Sequence, residues 1–185
     1  MNVDIIKAVE GLKEGKSLLY PTDTIWGLGC DATNEKAIGR VYEIKSRPKN
    51  KSFIVLVNSV AMLERYVSEF PEVCYDLIDL AEKPLTIIYD RPIGLPKSLL
   101  AEDGSIGIRV TKDPICNRII QGLRKPIVST SANISGEPTP KSFHDITSKL
   151  KEGVDMILEE RWDNNMNQPS SIIKIGVDQS VKVIR

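Results

Sequence analysis

The sequence predicts an α/β protein with one domain, residues 1–185, in which helices flank a twisted mixed sheet with a concave ligand cleft. Apolar runs of strand length alternate along the chain with segments whose apolar residues recur at helical spacing. The chain has 185 residues, which suits one domain, and no repeat or linker divides it. Polar residues cluster where predicted strands end, and open α/β sheets bind ligands at strand ends.

The first part of the chain predicts a helix, a strand, a loop and a second helix. Apolar residues recur at helical spacing over residues 3–12, and Gly15 lies just past the end of that segment. Residues 17–20 are an apolar run and lead into a loop over residues 21–33. Residues 34–45 carry an apolar stripe of helical period, and Pro48 prevents the helix from continuing.

The middle of the chain predicts two more strands, with two helices between them. Residues 53–57 form an unbroken apolar run, which indicates a buried strand. Helices are predicted over residues 60–67 and 72–81, and a strand over 85–89. Residues 90–104 contain two prolines and two glycines and predict an irregular connection.

Residues 105–110 alternate in character and predict a strand with two different faces. Ile106 and Ile108 share one face, whereas Ser105, Gly107 and Arg109 share the other. Two interpretations of Arg109 stay open. The strand is either an exposed edge strand, or the guanidinium projects over the bare glycine into a cleft.

The last part of the chain returns to alternating elements. Pro114 opens a predicted helix over residues 114–123. Another helix is predicted over residues 143–150. The remaining strands are predicted over residues 126–130, 155–158, 171–175 and 181–184.

Composition excludes several classes of protein. Lysine plus arginine equals aspartate plus glutamate, 25 each, so bulk charge does not hold this chain to nucleic acid. No apolar run approaches the roughly 20 residues of a membrane span, and the charged N-terminal segment is no signal peptide. We therefore expect no membrane partner and a cytoplasmic location.

The three cysteines and the single histidine predict neither a disulfide framework nor a zinc site. Cys30, Cys74 and Cys116 lie far apart, and no Cys-x-x-Cys motif occurs. Cytosolic free thiols are the expected state. We expect His144 to be a plain surface residue or the start of a helix, since nothing around it resembles a nucleophile elbow.

The loop 21–33 contains the first candidate site. Thr22, Asp23 and Thr24 form either an ordinary turn, because such residues bond their own backbone, or a set of polar groups facing a ligand. Gly27 and Gly29 would let a ligand approach the backbone.

Basic residues follow the helix predicted over residues 34–45. They are either a solvated helix end that complements the helix dipole or part of an anion site. They are Lys45, Arg47, Lys49 and Lys51.

The stretch STSANISGEPTP is a third polar cluster, after the loop and the Ser105–Arg109 face. Ser129, Ser131, Asn133 and Ser135 offer hydroxyl and amide groups, but neither a metal-ligand set nor a nucleophile with its base. Alone, this stretch is equally well an ordinary Ser/Asn-rich loop. The clusters in combination favour a site that binds an anion and orients a polar small molecule.

Together these motifs resemble the YrdC-like family of L-threonylcarbamoyl-AMP synthases, and specifically its short single-domain bacterial type. The matching segments follow one another at the family's spacing over nearly the whole chain. They are YPTDTIWGLGCDA, KSRPKNKSFIVLV, SIGIRV, STSANISGEPTP, PSSIIKI and the terminal VIR. The resemblance implies the YrdC-like fold.

The resemblance also implies a reaction and its partners. Such enzymes join L-threonine, bicarbonate and ATP to give threonylcarbamoyl-AMP and pyrophosphate, for the t6A modification of tRNA. A threonylcarbamoyl transferase complex would take up the product. Magnesium would be held through the ATP phosphates, with no metal site on the protein itself.

Roles for individual residues follow from the same resemblance. Thr24, Arg109 and Ser129 would bind L-threonine, and the planar fork of Arg109 suits its carboxylate. Lys45 and Arg47 would be the catalytic groups at the phosphates. ATP would be bound by Arg47, Lys51, Ser105, Ser131, Asn133, Thr139 and Arg185.

The chain departs from the family pattern at three places. Ala81-Glu82-Lys83-Pro84 stands where many relatives have Trp-Pro-Gly-Pro, Lys51 stands for an asparagine, and Leu56 lies near the position of a histidine. Three alternative functions remain. They are a YrdC-like module that binds double-stranded RNA or tRNA without synthase activity, the paralogous branch of less clear activity, and the carbamoyl-transfer domain of hydrogenase maturation.

Overall fold

The computed structural model describes residues 2–48, 51–164, 166, 168–176, 178 and 180–185, so Lys49 lies outside the described residues. The strands are β1 Asn2–Val3, β2 Leu18–Tyr20, β3 Gly27–Gly29, β4 Ile54–Val57, β5 Leu85–Tyr89, β6 Ile106–Val110, β7 Ile127–Ser131, β8 Met156–Leu158, β9 Ser171–Ile175 and β10 Val181–Val183. The helices are α1 Ile5–Lys13, α2 Glu35–Ile44, α3 Val60–Leu63, α4 Val73–Asp79, α5 Pro114–Leu123 and α6 Ser148–Gly153, with short 3-10 turns at Glu64–Tyr66 and Lys97–Leu99.

The strands form one sheet in the order β1-β8-β2-β3-β7-β4-β6-β5-β9-β10. The sheet is mixed, as predicted. Strand β8 is parallel to β1 and β2, β4 is parallel to β6, and β5 is parallel to β9. The remaining neighbours are antiparallel. No helix in the described part of the chain is long and apolar enough to cross a membrane.

The predicted N-terminal helix was placed too early. Val3 belongs to a strand that pairs with Leu158 of β8, and α1 starts only after Asp4. The Asp4 side chain accepts a hydrogen bond from the backbone N–H of Lys7 and caps the helix. Apolar spacing alone could not reveal this start, because Val3 pairs with a strand that is distant in sequence. Gly15 does follow the helix, with φ +84°.

A second strand lies inside the segment that was predicted as a loop. Strand β3 forms a hairpin with β2 and pairs on its other side with β7. The glycines at its two ends conceal it, because glycine is depleted in strands. At Gly29 a β-carbon would lie 1.8 Å from the Val128 carbonyl oxygen, so the neighbouring strand, and not a ligand, fills the space beside this glycine. The ligand interpretation of Gly29 is wrong.

The helix predicted over residues 143–150 starts only at Ser148. The preceding residues form turns, in which the Asp145 carboxylate accepts from the backbone N–H of Lys141 and Ser142. Phe143 packs on the ring of Trp162, with centroids 4.4 Å apart. His144 is exposed, as expected, but it lies before the helix and not at its start.

The cysteines are buried, unpaired thiols, as expected. Burial raises the pKa of the Cys74 thiol to about 11, and it also raises the pKa of Cys30 and Cys116. All three therefore stay protonated near neutral pH and pack as small apolar side chains. That the protein binds no zinc stays a prediction, to be tested by elemental analysis.

Candidate functional site

A cavity of about 390 Å³ collects the predicted polar clusters. Thr24 from the loop before β3, Arg109 from β6 and Ser131 from β7 all line it, which confirms that these clusters share one cleft. The described residues that line it are Thr24, Ile25, Gly27, Arg47, Ser52, Phe53, Ile54, Arg109, Ser129, Thr130, Ser131, Thr139, Lys141, Pro169, Ser170, Ile172 and Arg185.

The lining of this cavity is cationic although the chain has no net charge. Arg47, Arg109, Lys141 and Arg185 line it, and neither aspartate nor glutamate occurs among the described lining residues. Walls that carry one sign of charge raise the local concentration of ligands of the other sign. The cavity is therefore suited to a ligand with several negative charges.

Arg109 lies at the inner end of the cavity and is 4% exposed. Strand β6 runs between β4 and β5, so the exposed edge-strand interpretation is wrong. The guanidinium donates to Thr24 Oγ1 at 3.3 Å and forms an ion pair with Asp23 at 3.2 Å. Its buried Nε has no hydrogen-bond partner among the described residues. A buried cation whose hydrogen-bonding capacity is incompletely used favours a further anionic partner.

Asp23 is the resident counter-ion of Arg109. Burial raises the pKa of the Asp23 carboxyl, and the Arg109 charge opposes that rise. Asp23 also borders a second cavity, described below. The Asp23–Arg109 ion pair therefore lies between the two cavities, with the Arg109 guanidinium on the side of the first cavity.

The end of α2 sends two basic side chains to different places. Arg47 N–H bonds to the Tyr42 carbonyl and Ser46 N–H bonds to the Glu43 carbonyl, both at 3.0 Å. This pair of bonds is a Schellman motif, and Ser46 has the left-handed conformation that it requires, with φ +49°. The sharp reversal directs Lys45 beneath the cavity wall, whereas Arg47 reaches the cavity itself.

Lys45 is 1% exposed, so its interpretation as a solvated helix end is wrong. Its Nζ donates to the carbonyls of Ser131 and Asn133 at 2.5 and 2.7 Å, and its own carbonyl accepts from Ser135 N–H. Burial, together with the smaller effect of the Arg47 charge, lowers the pKa of Lys45 to about 7. Lys45 thus ties the loop after β7 to the end of α2, and it is not among the cavity-lining residues.

Arg47 is held by the turn that follows it. Its Nε donates to the Lys51 carbonyl at 3.0 Å and Nη2 donates to the Ser52 carbonyl at 2.9 Å. Its guanidinium also lies over the ring of Phe53, 5.1 Å from the centroid. Lys51 therefore contributes its backbone, while its own side chain is exposed and does not line the cavity.

The Ser/Asn-rich loop is divided between lining and support. Ser129, Ser131 and Thr139 line the cavity. Asn133 does not, because its Nδ2 donates to the Ile134 and Glu137 carbonyls at 3.1 and 2.7 Å and braces the loop.

The last two predicted nucleotide contacts lie in different surroundings. The Ser105 hydroxyl donates to Asp103 at 2.6 Å, and this residue does not line the cavity. Arg185 does line it, and its Nε and Nη2 donate to the Ser170 carbonyl at 3.2 and 2.9 Å.

Sequence reasoning missed several lining residues. Lys141 adds a cation directly after the Pro-Thr-Pro segment, and Ser170 belongs to the Pro-Ser-Ser segment that leads into β9. A basic residue just beyond a recognised polar loop was the available signal for Lys141. Phe53, Ile54 and Ile172 gave no such signal, because apolar residues in predicted strands are expected to belong to the core.

The segment that departs from the family pattern lies away from this cavity. Ala81, Glu82, Lys83 and Pro84 line a second cavity of about 420 Å³, together with Asp23. The Asp113 carboxylate, which caps α5, also borders it and pairs with Arg161 at 2.5 Å. Acidic and basic side chains occur together in this lining, so it lacks the single sign of charge of the first cavity.

Comparison with known proteins places the chain among relatives of one kind. The family model Sua5_yciO_yrdC, described as "Telomere recombination", matches residues 10–185. A threonylcarbamoyl-AMP synthase from Pseudoalteromonas translucida is 33% identical over 171 residues, which is 91% of each chain.

Solved structures give the same grouping. Sua5 from P. abyssi, crystallised with L-threonine, matches 94% of this chain with a TM-score of 0.83 and 27% identity, and this chain spans 53% of its length. YciO from E. coli matches 100% of this chain and 92% of its own, with a TM-score of 0.82 and 26% identity.

Proposed function

We infer that this chain, which belongs to the Sua5/YciO/YrdC family, is a threonylcarbamoyl-AMP synthase. It joins L-threonine, bicarbonate and ATP and releases pyrophosphate. The observation that carries this proposal is the cavity lined by Arg47, Arg109, Lys141 and Arg185, with no aspartate or glutamate among its described lining residues. A carboxylate and a triphosphate bring several negative charges together, and such a lining neutralises them.

The two ends of the cavity suit the two substrates. Arg109 and Thr24 are bonded to each other at the inner end, where a small amino acid fits and its carboxylate meets the guanidinium. Arg47, Lys141 and Arg185 lie on the more open side, with Ser131 and Thr139 as hydroxyl donors for phosphate and ribose. Ser129 on β7 lies between these two ends of the cavity, next to Gly27. A β-carbon added at Gly27 would be 3.4 Å from the Ser129 hydroxyl.

The chemical step requires alignment and no protein nucleophile. Bicarbonate loses hydroxide to give carbon dioxide, and the threonine amine forms a bond to its carbon and loses a proton. The products of this step are a carbamate and, from the proton and the hydroxide, water. One carbamate oxygen then forms a bond to the α-phosphorus, the bond from that phosphorus to the bridging oxygen breaks, and pyrophosphate leaves with the electron pair. Arg47 and its cationic neighbours stabilise the charge that develops on the phosphates. Arg109 holds the threonine so that its carbamate faces the phosphorus.

A magnesium ion would accompany the nucleotide. The described lining residues supply hydroxyls and cations but no acidic side chain, so the ion would be held through the phosphates of ATP and not by a protein cage. When bound, it would neutralise charge on the leaving pyrophosphate.

An assay of pyrophosphate release tests the proposal. Purified protein should release pyrophosphate from ATP only when L-threonine and bicarbonate are both present, and threonylcarbamoyl-AMP should be detected by mass spectrometry. Release that is independent of threonine would contradict the proposal. With a threonylcarbamoyl transferase and tRNA added, the product should be consumed and t6A should appear.

Direct binding of double-stranded RNA or tRNA is the alternative function. The exposed Lys51 next to the cavity and the exposed Lys141 on its rim are the features that favour it. Affinity for RNA that falls steeply with salt, in a protein that releases no pyrophosphate, would support this alternative.

A further inference from the structure

The turn before β3 contains two buried hydroxyl groups in contact, and the proposed chemistry gives no role to the one on Thr22. Thr22 is 2% exposed and Thr24 is 5% exposed. Their Oγ1 atoms are 2.8 Å apart, and Thr24 Oγ1 accepts from Arg109 Nη1 at 3.3 Å. Thr24 lines the cavity, whereas Thr22 lies behind it.

The position of the Thr22 hydrogen follows from its second contact. Thr22 Oγ1 is also 2.8 Å from the carbonyl oxygen of Ile25. Two oxygens at that distance need a hydrogen between them, and a carbonyl has none to give. The Thr22 hydroxyl therefore donates to Ile25.

The direction of the contact between the two threonines is fixed in consequence. A hydroxyl has one hydrogen, and that of Thr22 is already used. Thr22 Oγ1 acts as an acceptor towards its other neighbours, and the backbone N–H groups of Thr24 and Ile25, at 3.0 and 3.2 Å, share its two lone pairs with the Thr24 hydroxyl. At 2.8 Å the two hydroxyl oxygens need a hydrogen between them, and only Thr24 can supply it, so Thr24 has none left for the cavity.

We propose that Thr22 is a positioning residue that makes the Thr24 hydroxyl a pure hydrogen-bond acceptor, so that the cavity selects an amino acid with a side-chain donor. One lone pair of Thr24 Oγ1 accepts from Arg109, and the other remains for the ligand. This inference rests on the proposed function. When the substrate carboxylate is at Arg109 and its nitrogen is directed towards the nucleotide, the donor next to Thr24 is the β-hydroxyl of threonine.

The selection has an expected size. L-2-aminobutyrate differs from L-threonine by lacking the hydroxyl, and its binding would leave the Thr24 lone pair buried without a donor. An unsatisfied buried acceptor weakens binding by roughly 5- to 150-fold. L-serine retains the donor and should lose only the contacts of one methyl group, about 4-fold.

The first arm of the test reads the hydrogens directly in the wild-type protein. NMR of threonine-labelled protein gives the torsion of each hydroxyl hydrogen from its coupling to Hβ and from its NOEs. The Thr24 hydrogen should point to Thr22, and the Thr22 hydrogen should point to the Ile25 carbonyl. A Thr24 hydrogen directed into the cavity overturns the inference, and this arm needs neither catalysis nor a variant.

The second arm measures ligand discrimination by calorimetry in the presence of α,β-methylene ATP. Wild-type protein and Thr22→Ser should prefer L-threonine over L-2-aminobutyrate by the same factor. Thr22→Val removes the acceptor and frees the Thr24 hydrogen, so this factor should shrink several-fold while the affinity for α,β-methylene ATP is unchanged. An unchanged factor in a folded Thr22→Val protein overturns the inference, because a purely structural role would not alter the ratio.

The outcomes also separate this inference from the proposed function. Equal binding of L-threonine and L-2-aminobutyrate to the wild-type protein overturns the selection by Thr24 and leaves the synthase proposal standing. If L-threonine fails to bind at all, both are overturned. If Thr22→Val does not fold, the NMR arm and the wild-type ligand ratio decide the matter.

Discussion

Replacement of Arg109 by lysine should weaken the use of L-threonine far more than the use of ATP. The guanidinium reaches Thr24 at 3.3 Å and Asp23 at 3.2 Å while it faces the cavity. A single ammonium keeps the charge but cannot reproduce this fork. The substrate carboxylate would then lose one of two parallel charge-assisted hydrogen bonds.

The structure sets the size of this effect. Arg109 is 4% exposed, so water does not replace the lost donor. A hydrogen bond to a charged group contributes about 1.5–3 kcal/mol, which corresponds to roughly 10- to 150-fold in kcat/KM for threonine. The KM for ATP should change much less, because Arg47, Lys141 and Arg185 remain at the other end of the cavity.

Steady-state pyrophosphate release with each substrate varied in turn measures both effects. Arg118→Lys is the matched control, since Arg118 is exposed on α5 and does not line the cavity. The thermal unfolding midpoint shows whether the variant is folded. If Arg109→Lys loses affinity for ATP and keeps its affinity for threonine, the assignment of the two ends is reversed and our reasoning is wrong.

Three further predictions concern stability and the site. Gly29→Ala should destabilise the protein by more than about 3 kcal/mol, because the new β-carbon would lie 1.8 Å from a backbone carbonyl oxygen. Gly39→Ala in α2 should stabilise the protein by about 0.5–1 kcal/mol, because its β-carbon would meet nothing within 4 Å. Chemical denaturation of both variants measures the contrast, and equal effects would refute the packing argument. Burial lowers the pKa of Lys45 from 10.5 to about 7, so between these pH values the unfolded chain binds a proton that the folded protein does not. The free energy of unfolding of the wild-type protein, relative to that of Lys45→Met, should therefore rise by about 1 kcal/mol per pH unit from pH 7 to 9. A constant difference between the two proteins over that range would show that the two carbonyl acceptors keep Lys45 charged. Asp23→Asn removes the counter-ion of Arg109, so the guanidinium should attract the substrate carboxylate more strongly and the KM for threonine should fall. A raised KM in steady-state kinetics would instead show that Asp23 holds the Arg109 guanidinium in its orientation.

The sequence determined the class of fold and most of its elements, because these depend on local patterns. The period of apolar residues located α2, the proline that opens it located α5, and an unbroken apolar run located β4. The motif order indicated the family that comparison then confirmed. Thr24, Arg109 and Ser131 were identified as candidates because several polar clusters at strand ends occur together in motifs that resemble one family.

Only the tertiary structure decided what each polar side chain faces. Lys45 and Arg47 are two residues apart in one basic motif, yet a left-handed residue between them directs one beneath the cavity wall and the other into the cavity. Residue 29 must be glycine because strand β7, which lies about a hundred residues further along the sequence, occupies the space that a side chain would need. Local periodicity reports which residues avoid water, but the partner of a buried polar group is set by the packing of distant segments, and no local pattern encodes it.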